Sequence, residues 1–167
     1  MSVKIAVISD SHIGQKISAY PAEILNAIGE CDIIIHAGDH TSMESVELLN
    51  SLGNLRAVHG NMDEITISNL LPSRLVFEVE GIRIGVTHGW GSPLGIERRV
   101  LDVFVDEKLD IVIFGHSHSP CDKIIDGIRV INPGAISGNL QDKSSSWGIL
   151  TINGCDADWR LIEFSFK

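Results

Sequence analysis

The sequence predicts an α/β fold, a four-layer α/β/β/α sandwich with two mixed sheets face to face and helices on the outside. Three observations carry that expectation. The first half alternates strand-like and helix-like segments, a pattern that implies parallel strands with helical crossovers. Beyond residue 118 the chain reads almost entirely as strands, with Asp126-Gly127 and Asn153-Gly154 supplying hairpin turns. Five apolar stretches, 3–8, 33–35, 55–58, 82–86 and 111–114, each end in polar residues, as expected where an open α/β sheet gathers its site at the carboxyl ends of its strands.

Taken in order, strands are expected at 3–9, 33–37 and 54–59, with helices at 21–28 and 43–52 between them. Ile24, Leu25 and Ile28 form an apolar stripe on the first helix, and Val46, Leu49 and Leu52 fall near one face of the second. Strands at 74–79 and 82–87 flank Glu80-Gly81, a two-residue hairpin signal. A helix over 96–107 and a strand over 110–114 follow, and the remaining strands are expected at 123–126, 128–132, 147–152 and 159–166. Leu161, Ile162, Phe164 and Phe166 would line a core or, in a homo-oligomer, an interface, with the core favoured.

Composition sets the outer bounds. A chain of 167 residues fits one domain, 1–167, with no linker or repeat, and at this size a core holds itself without staples. No apolar run approaches the roughly 20 residues that span a bilayer, and the start enters a strand directly, so a cytoplasmic location is expected. Cys31, Cys121 and Cys155 are too few and too scattered for a disulfide framework and suit reduced thiols; Cys121 is expected in packing rather than as a ligand. With 13 basic and 22 acidic residues the net charge is −9, which argues against broad attachment to nucleic acid or an anionic membrane. Two divalent cations would offset part of that excess and present local positive charge to a phosphate.

The polar endings form five motifs in fixed order: Asp10-Ser11-His12, Gly38-Asp39, Gly60-Asn61, His88-Gly89 and Gly115-His116-Ser117-His118. Asp10 and His12 stand two residues apart just past a buried strand, so extended geometry would aim both to one side. Asp39 ends a nearly all-apolar strand, where a lone carboxylate is costly, and its two oxygens suit it to bridge two metals about 3.5–4 Å apart. The Asn61 amide adds a neutral oxygen ligand. His116 and His118 interrupt a hydrophobic run abruptly and need partners. His36 is expected to be an interior, hydrogen-bonded histidine. Taken singly, Asp10 and Asn61 read more readily as turn residues. Together the motifs point to two divalent ions held by oxygen and imidazole, with manganese the first candidate and nickel, zinc, iron, cobalt and magnesium alternatives.

These residues resemble the calcineurin-like metallophosphoesterases, whose pattern runs D-x-H, G-D, G-N, H, G-H-x-H. All five blocks are present between Asp10 and His118. Chain length and Asn132-Pro133-Gly134-Ala135 are similar to the small YfcE-like prokaryotic phosphodiesterase branch, in which N-P-G-S is usual. The resemblance implies one metal on Asp10, His12, Asp39 and His118 and a second on Asp39, Asn61, His88 and His116. It implies phosphodiester hydrolysis by a hydroxide bridging the two ions, with Asp39 and Asn61 in the catalytic centre and a phosphoester or nucleotide-type molecule as substrate.

Two positions depart from the pattern. Met62 stands where larger members carry a histidine beside the departing oxygen, and a thioether has no proton to give. The general acid is then open between Asp63, were its pKa raised, and solvent, and a plain role for Asp63 in hydrogen-bonding its loop is weighed at least equally. Trp90 replaces a second histidine common in the branch and is expected to stack on a nucleobase or aryl group of the substrate. Two other functions are compatible with the same fold: a non-catalytic binding module like the retromer subunit, and a phosphomonoesterase or nucleotide phosphatase.

Overall fold

The computed structural model of the chain describes residues 1–139 and 141–166. Its order is β1 (Val3–Ile8), α1 (Ala22–Gly29), β2 (Ile33–His36), α2 (Met43–Leu52), β3 (Asn54–Ala57), α3 (Ile65–Leu70), β4 (Arg74–Val79), β5 (Ile82–Thr87), α4 (Ile96–Asp102), β6 (Ile111–Ile113), β7 (Cys121–Ile125), β8 (Ile128–Asn132), β9 (Ser145–Asn153) and β10 (Asp156–Phe164). The first sheet runs β10-β9-β1-β2-β3 and the second β4-β5-β6-β8-β7. Both are mixed: β1, β2 and β3 are parallel, as are β5, β6 and β8, while β9, β10, β4 and β7 pair antiparallel.

Alternation along the strands separates the layers. Ile5, Val7, Ile35, Val58 and Leu150 from one sheet meet Ile84, Val86, Ile111, Ile113 and Ile131 from the other in a dry layer between them. Residues of opposite parity, Ala6, Ile8 and Ile34, face outward to Ile24 and Ile28 of α1 and Leu49 of α2. On the far side Val112, Phe114 and Val130 receive Ile96 and Val100 of α4. The architecture is therefore the α/β/β/α sandwich.

Several boundaries differ from the sequence expectation. The α4 helix stops at Asp102 instead of continuing to 107, because Phe104, Val105 and Glu107 donate to carbonyls three residues back and tighten the chain as Phe104 enters the core. Helix α3, unexpected from sequence, buries only Ile67 and has no side-chain cap. Helix α1 starts one residue later than expected, since Pro21 serves as its N-cap. The last hairpin turns at Gly154-Cys155, not Asn153-Gly154, because Asn153 pairs with Asp156 within the ladder. Strands β7, β9 and β10 begin two or three residues earlier than expected. Ile162 and Phe164 pack on the helix side of the first sheet. Among the described residues no helix is long and apolar enough to cross a membrane.

Candidate metal centre

The carboxyl ends of β1, β2, β5 and β6, with the loop after β3, converge on one point between the sheets. Asp10, Asp39, His12, His88 and His118 are all buried there, while Asn61 and His116 lie at its open side. The backbone shows how tightly these side chains are aimed. Asp10, His12, Asp39, His116 and His118 all have positive φ, between 46 and 66°, a region that ordinary residues avoid. Such backbone costs of order 1–3 kcal/mol at each residue and persists only where surrounding structure enforces it.

The enforcing contacts are visible. Asp10 N–H donates to Gly38 O, and His12 N–H to Asp39 O, tying the first motif to the second. Asp10 Oδ2 accepts from Ser9 Oγ at 2.6 Å and from the His116 amide at 3.0 Å. Asp39 Oδ1 accepts the Met62 amide at 2.8 Å. Two glycines permit this crowding: a Cβ on Gly60 would lie 2.1 Å from Asp39 Oδ1, and one on Gly115 would lie 2.0 Å from Ser9 Oγ.

With one oxygen of each carboxylate spent on these contacts, the other faces the imidazoles. Asp10 Oδ1 lies 3.2 Å from His118 Nε2, 3.9 Å from His12 Nε2 and 4.0 Å from His88 Nε2. Asp39 Oδ2 lies 3.3 Å from His88 Nε2 and 3.6 Å from His12 Nε2. Asn61 Oδ1 stands 3.1 Å from both His88 Nε2 and His116 Nδ1. Two sets of donor atoms could each hold an ion, Asp10-His12-His118 and Asp10-Asp39-His88. The oxygen and imidazole donors fit a divalent metal, and Asp10 Oδ1, which is buried without a hydrogen-bond partner, is the clearest single sign of that fit.

Three of the imidazoles have their tautomers fixed by backbone carbonyls, which can only accept. His88 Nδ1 donates to Ala37 O at 2.7 Å, His118 Nδ1 to Gly138 O at 3.2 Å, and His116 Nε2 to Gly91 O at 2.9 Å. Each ring therefore turns its other nitrogen toward the centre, where its lone pair would be available to a metal once any proton there is lost. This is the usual support of metal-ligating histidines.

Electrostatics without metal agree with such a centre. Burial works against ionised Asp39, but the hydrogen bond and charge of His88, with the Met62 amide, hold its carboxyl down at about 2. Burial likewise opposes ionised Asp10, and the close approach of the His118 and His88 imidazoles prevails, leaving it below the usual carboxylate range. Burial would also strip the proton from His88; the hydrogen bond to Asp39 and the charges of Asp10 and Asp39 prevail and raise it to about 9. Protonated His88 is the cation that stands between the two carboxylates. His12 is lowered by burial, against the pull of Asp10.

Around the centre lie residues that the sequence singled out, Asn132, His36, Asp63 and Trp90, and others that it did not, Ser137, Tyr20 and Ser45. Asn132 donates from Nδ2 to Gly115 O and Ser117 Oγ and accepts the Gly134 amide, so the Asn-Pro-Gly segment holds the last ligand loop. Ser137 Oγ donates to Asp10 O. His36 is fully buried; its Nδ1 accepts the Gly38 amide and its Nε2 meets Ser11 Oγ at 2.8 Å, in a chain with Tyr20 and Ser45. Burial drives His36 well below the ordinary histidine range. His36 stacks on His40 with centroids 3.6 Å apart. Asp63 accepts three amides, from Thr41 on Oδ1 and from Asp39 and Gly60 on Oδ2, which places it as a clamp between loops. Trp90 is half exposed at the rim, and Cys121 packs with its thiol toward Val130 O, away from the ligand set.

Residues 3–154 match the model of the calcineurin-like phosphoesterase superfamily domain. The chain belongs to that superfamily. Among calcineurin-like relatives, a probable metallophosphoesterase of Methanothermobacter thermautotrophicus is 34% identical, with 95% of this chain and 91% of that protein covered. A phosphodiesterase of Methanocaldococcus jannaschii is 28% identical, covering 93% and 94% respectively. Among solved structures, Thermotoga maritima protein TM1076 superposes with a TM-score of 0.79 at 36% identity, covering 97% of this chain and 99% of that one. Vps29 of Chaetomium thermophilum shares the fold, with a TM-score of 0.80 at 19% identity and 97% of each chain covered.

Proposed function

We propose that the protein is a metal-dependent phosphodiesterase with a dinuclear centre. The observation that carries this reading is the set of three imidazoles whose outer nitrogens are donated to the carbonyls of Ala37, Gly91 and Gly138. Their inner nitrogens converge on Asp10, Asp39 and Asn61 at 3.1–3.3 Å. Asp10, His12, Asp39 and His118 would hold one ion, and Asp39, Asn61, His88 and His116 the other. When bound, the ions supply an activated water and neutralise the phosphoryl oxygens, with manganese the first to test. The protein's part is to fix the ligands in place before substrate arrives, through the Ser9, Asn132 and Ser137 contacts, so that little reorganisation accompanies the reaction. With no proton donor at Met62, activated aryl diesters should react fastest. The phosphodiesterase relative supports the diester over the monoester. Three free cysteines suit a reducing compartment such as the cytoplasm.

The test is turnover of an aryl phosphodiester and its monoester by metal-stripped protein, with manganese, nickel, zinc or magnesium restored singly, beside Asp39→Ala. Metal-dependent cleavage of the diester, faster than the monoester and absent in the variant, is the expected result. No turnover of either ester with two ions bound would refute it and favour a binding module on this fold; a preference for the monoester would make it a phosphatase.

A further inference from the structure

Beside the metal centre, and sharing Asn61 and His88 with it, lies a cleft of about 280 Å³ whose lining also includes His59, Thr87, Trp90 and Val103. We propose that this cleft is a subsite for one planar ring on the substrate's ester arm, aryl or nucleobase, with Trp90 as its stacking face and Arg99 as the residue that positions that face. The inference rests on the phosphoesterase reading above and adds to it what the substrate carries.

Continuity and size carry the first part. Since Asn61 and His88 line both spaces, a phosphate at the metals and a ring in the cleft would belong to one molecule. Ligand sites typically measure about 300–1,000 Å³, so this cleft takes a single ring system and not an oligomer. Its surface is mainly apolar, and Trp90 is 50% exposed at its edge, where a large aromatic is free to meet another flat ring. The net charge of −9 on the chain also favours a small ester over a polyanionic strand.

The second part comes from how the Trp90 loop is held. Residues 89–95 are Gly-Trp-Gly-Ser-Pro-Leu-Gly, a composition with little rigidity of its own. Arg99 of α4 spans it: Nε donates to Trp90 O at 3.2 Å, Nη1 to Leu94 O at 3.0 Å, and Nη2 to Ser92 O. One planar guanidinium thus fixes three carbonyls of one loop, which a lysine ammonium cannot match in geometry. From the other side His116 donates to Gly91 O, so the loop is joined to a metal ligand. Across the cleft, Arg74 donates to Val103 O at 2.7 Å, so that lining too is pinned by an arginine.

The experiment measures dissociation constants of phenyl phosphate and methyl phosphate for the manganese-loaded protein by calorimetry, with metal content determined for each variant. Stacking a ring on an aromatic side chain predicts that phenyl phosphate binds about five- to tenfold more tightly than methyl phosphate. Trp90→Ala should bring that ratio near one, Trp90→Phe should keep most of it, and Arg99→Lys should lower it by more than half. In the Trp90→Ala background, Arg99→Lys should have no further effect on the ratio, since there is no ring face left to position. A wild-type ratio near one, or one unmoved by Trp90→Ala, overturns the subsite. An Arg99→Lys effect that persists without Trp90, or none at all with it, overturns the positioning role. Because binding is read apart from turnover, ring preference without diester cleavage would refute only the phosphodiesterase reading. Diester cleavage without ring preference would refute only the subsite.

Discussion

The proton on His88 gives the metal-free protein a defined pH dependence. Its folded pKa is raised to about 9 from the ordinary 6.5, so its stabilising contribution is complete below the unfolded value and lost as pH rises through the folded one. A rise of that size corresponds to about 3 kcal/mol, and about 2 kcal/mol of it should disappear between pH 6.5 and 8.5. Burial lowers His12, His36 and His40, which works in the opposite direction by favouring the folded state as those groups lose protons above their folded values. Comparing wild type with His88→Gln removes most of this common background. Urea denaturation in chelator at pH 6.5, 7.5 and 8.5 should therefore show the stability difference between the two proteins shrinking by about 2 kcal/mol as pH rises. With manganese bound, the ion replaces the proton and the alkaline loss in wild type should vanish. A difference that stays constant from pH 6.5 to 8.5 would refute the view that His88 is the cation between the carboxylates.

Three further outcomes are expected. Gly115→Ala places a methyl 2.0 Å from Ser9 Oγ and 2.8 Å from Asp10 Oδ2, so metal affinity should fall in a calorimetric titration although no ligand is changed, with about 1–3 kcal/mol lost on denaturation. Asn132→Ala leaves the Gly134 amide without its partner and Gly115 O with the Ser117 amide alone in a buried region; a loss of about 1–3 kcal/mol is expected in denaturant, with weaker metal binding. Asp63→Asn offers one oxygen where three amides are held, so turnover should fall by the same factor for diesters with good and poor leaving groups. A loss confined to the poor leaving group would instead make Asp63 the proton donor.

What could be read from the sequence follows from where the information lies. Asp10, Asp39, His88 and His118 are legible because charged or polar groups at the ends of apolar strands demand partners, and strand ends meet at one place in such sheets. The atoms that aim them are not legible: Ala37 O, Gly91 O and Gly138 O are backbone groups available at any residue. Arg99 is hidden for the same reason, since all three of its partners are carbonyls. Periodicity misled at Phe104, which continues the spacing of Ile96 and Val100 although the chain has already left the helix. Helix α3 has one buried residue and so no periodicity to see. The pattern also shows that β9 and β10 are strands without showing that β9 returns to β1 and carries β10 at the sheet edge, because register depends on partners far away in the chain.

The cost of the centre argues for its use. Five residues sit in left-handed backbone, two carboxylates are buried against each other, and Asp10 Oδ1 is left without a hydrogen bond. Each is unfavourable alone, and protonated His88 offsets only the charge. A single change such as Asp10→Asn would relieve much of the repulsion in a protein that used this fold only to bind a partner. A divalent ion held by Asp10, Asp39 and the imidazoles of His12, His88 and His118 would offset each of these features at once, supplying Asp10 Oδ1 with a partner, countering the carboxylate charge and taking the lone pairs of the fixed imidazoles. The arrangement is consistent at every level only if His88 gives up its proton to an incoming cation, so metal uptake at neutral pH should release protons. That release, measured by titrating metal into two buffers of different ionisation enthalpy, should be absent in His88→Gln; equal release from both proteins would mean that the proton is lost elsewhere.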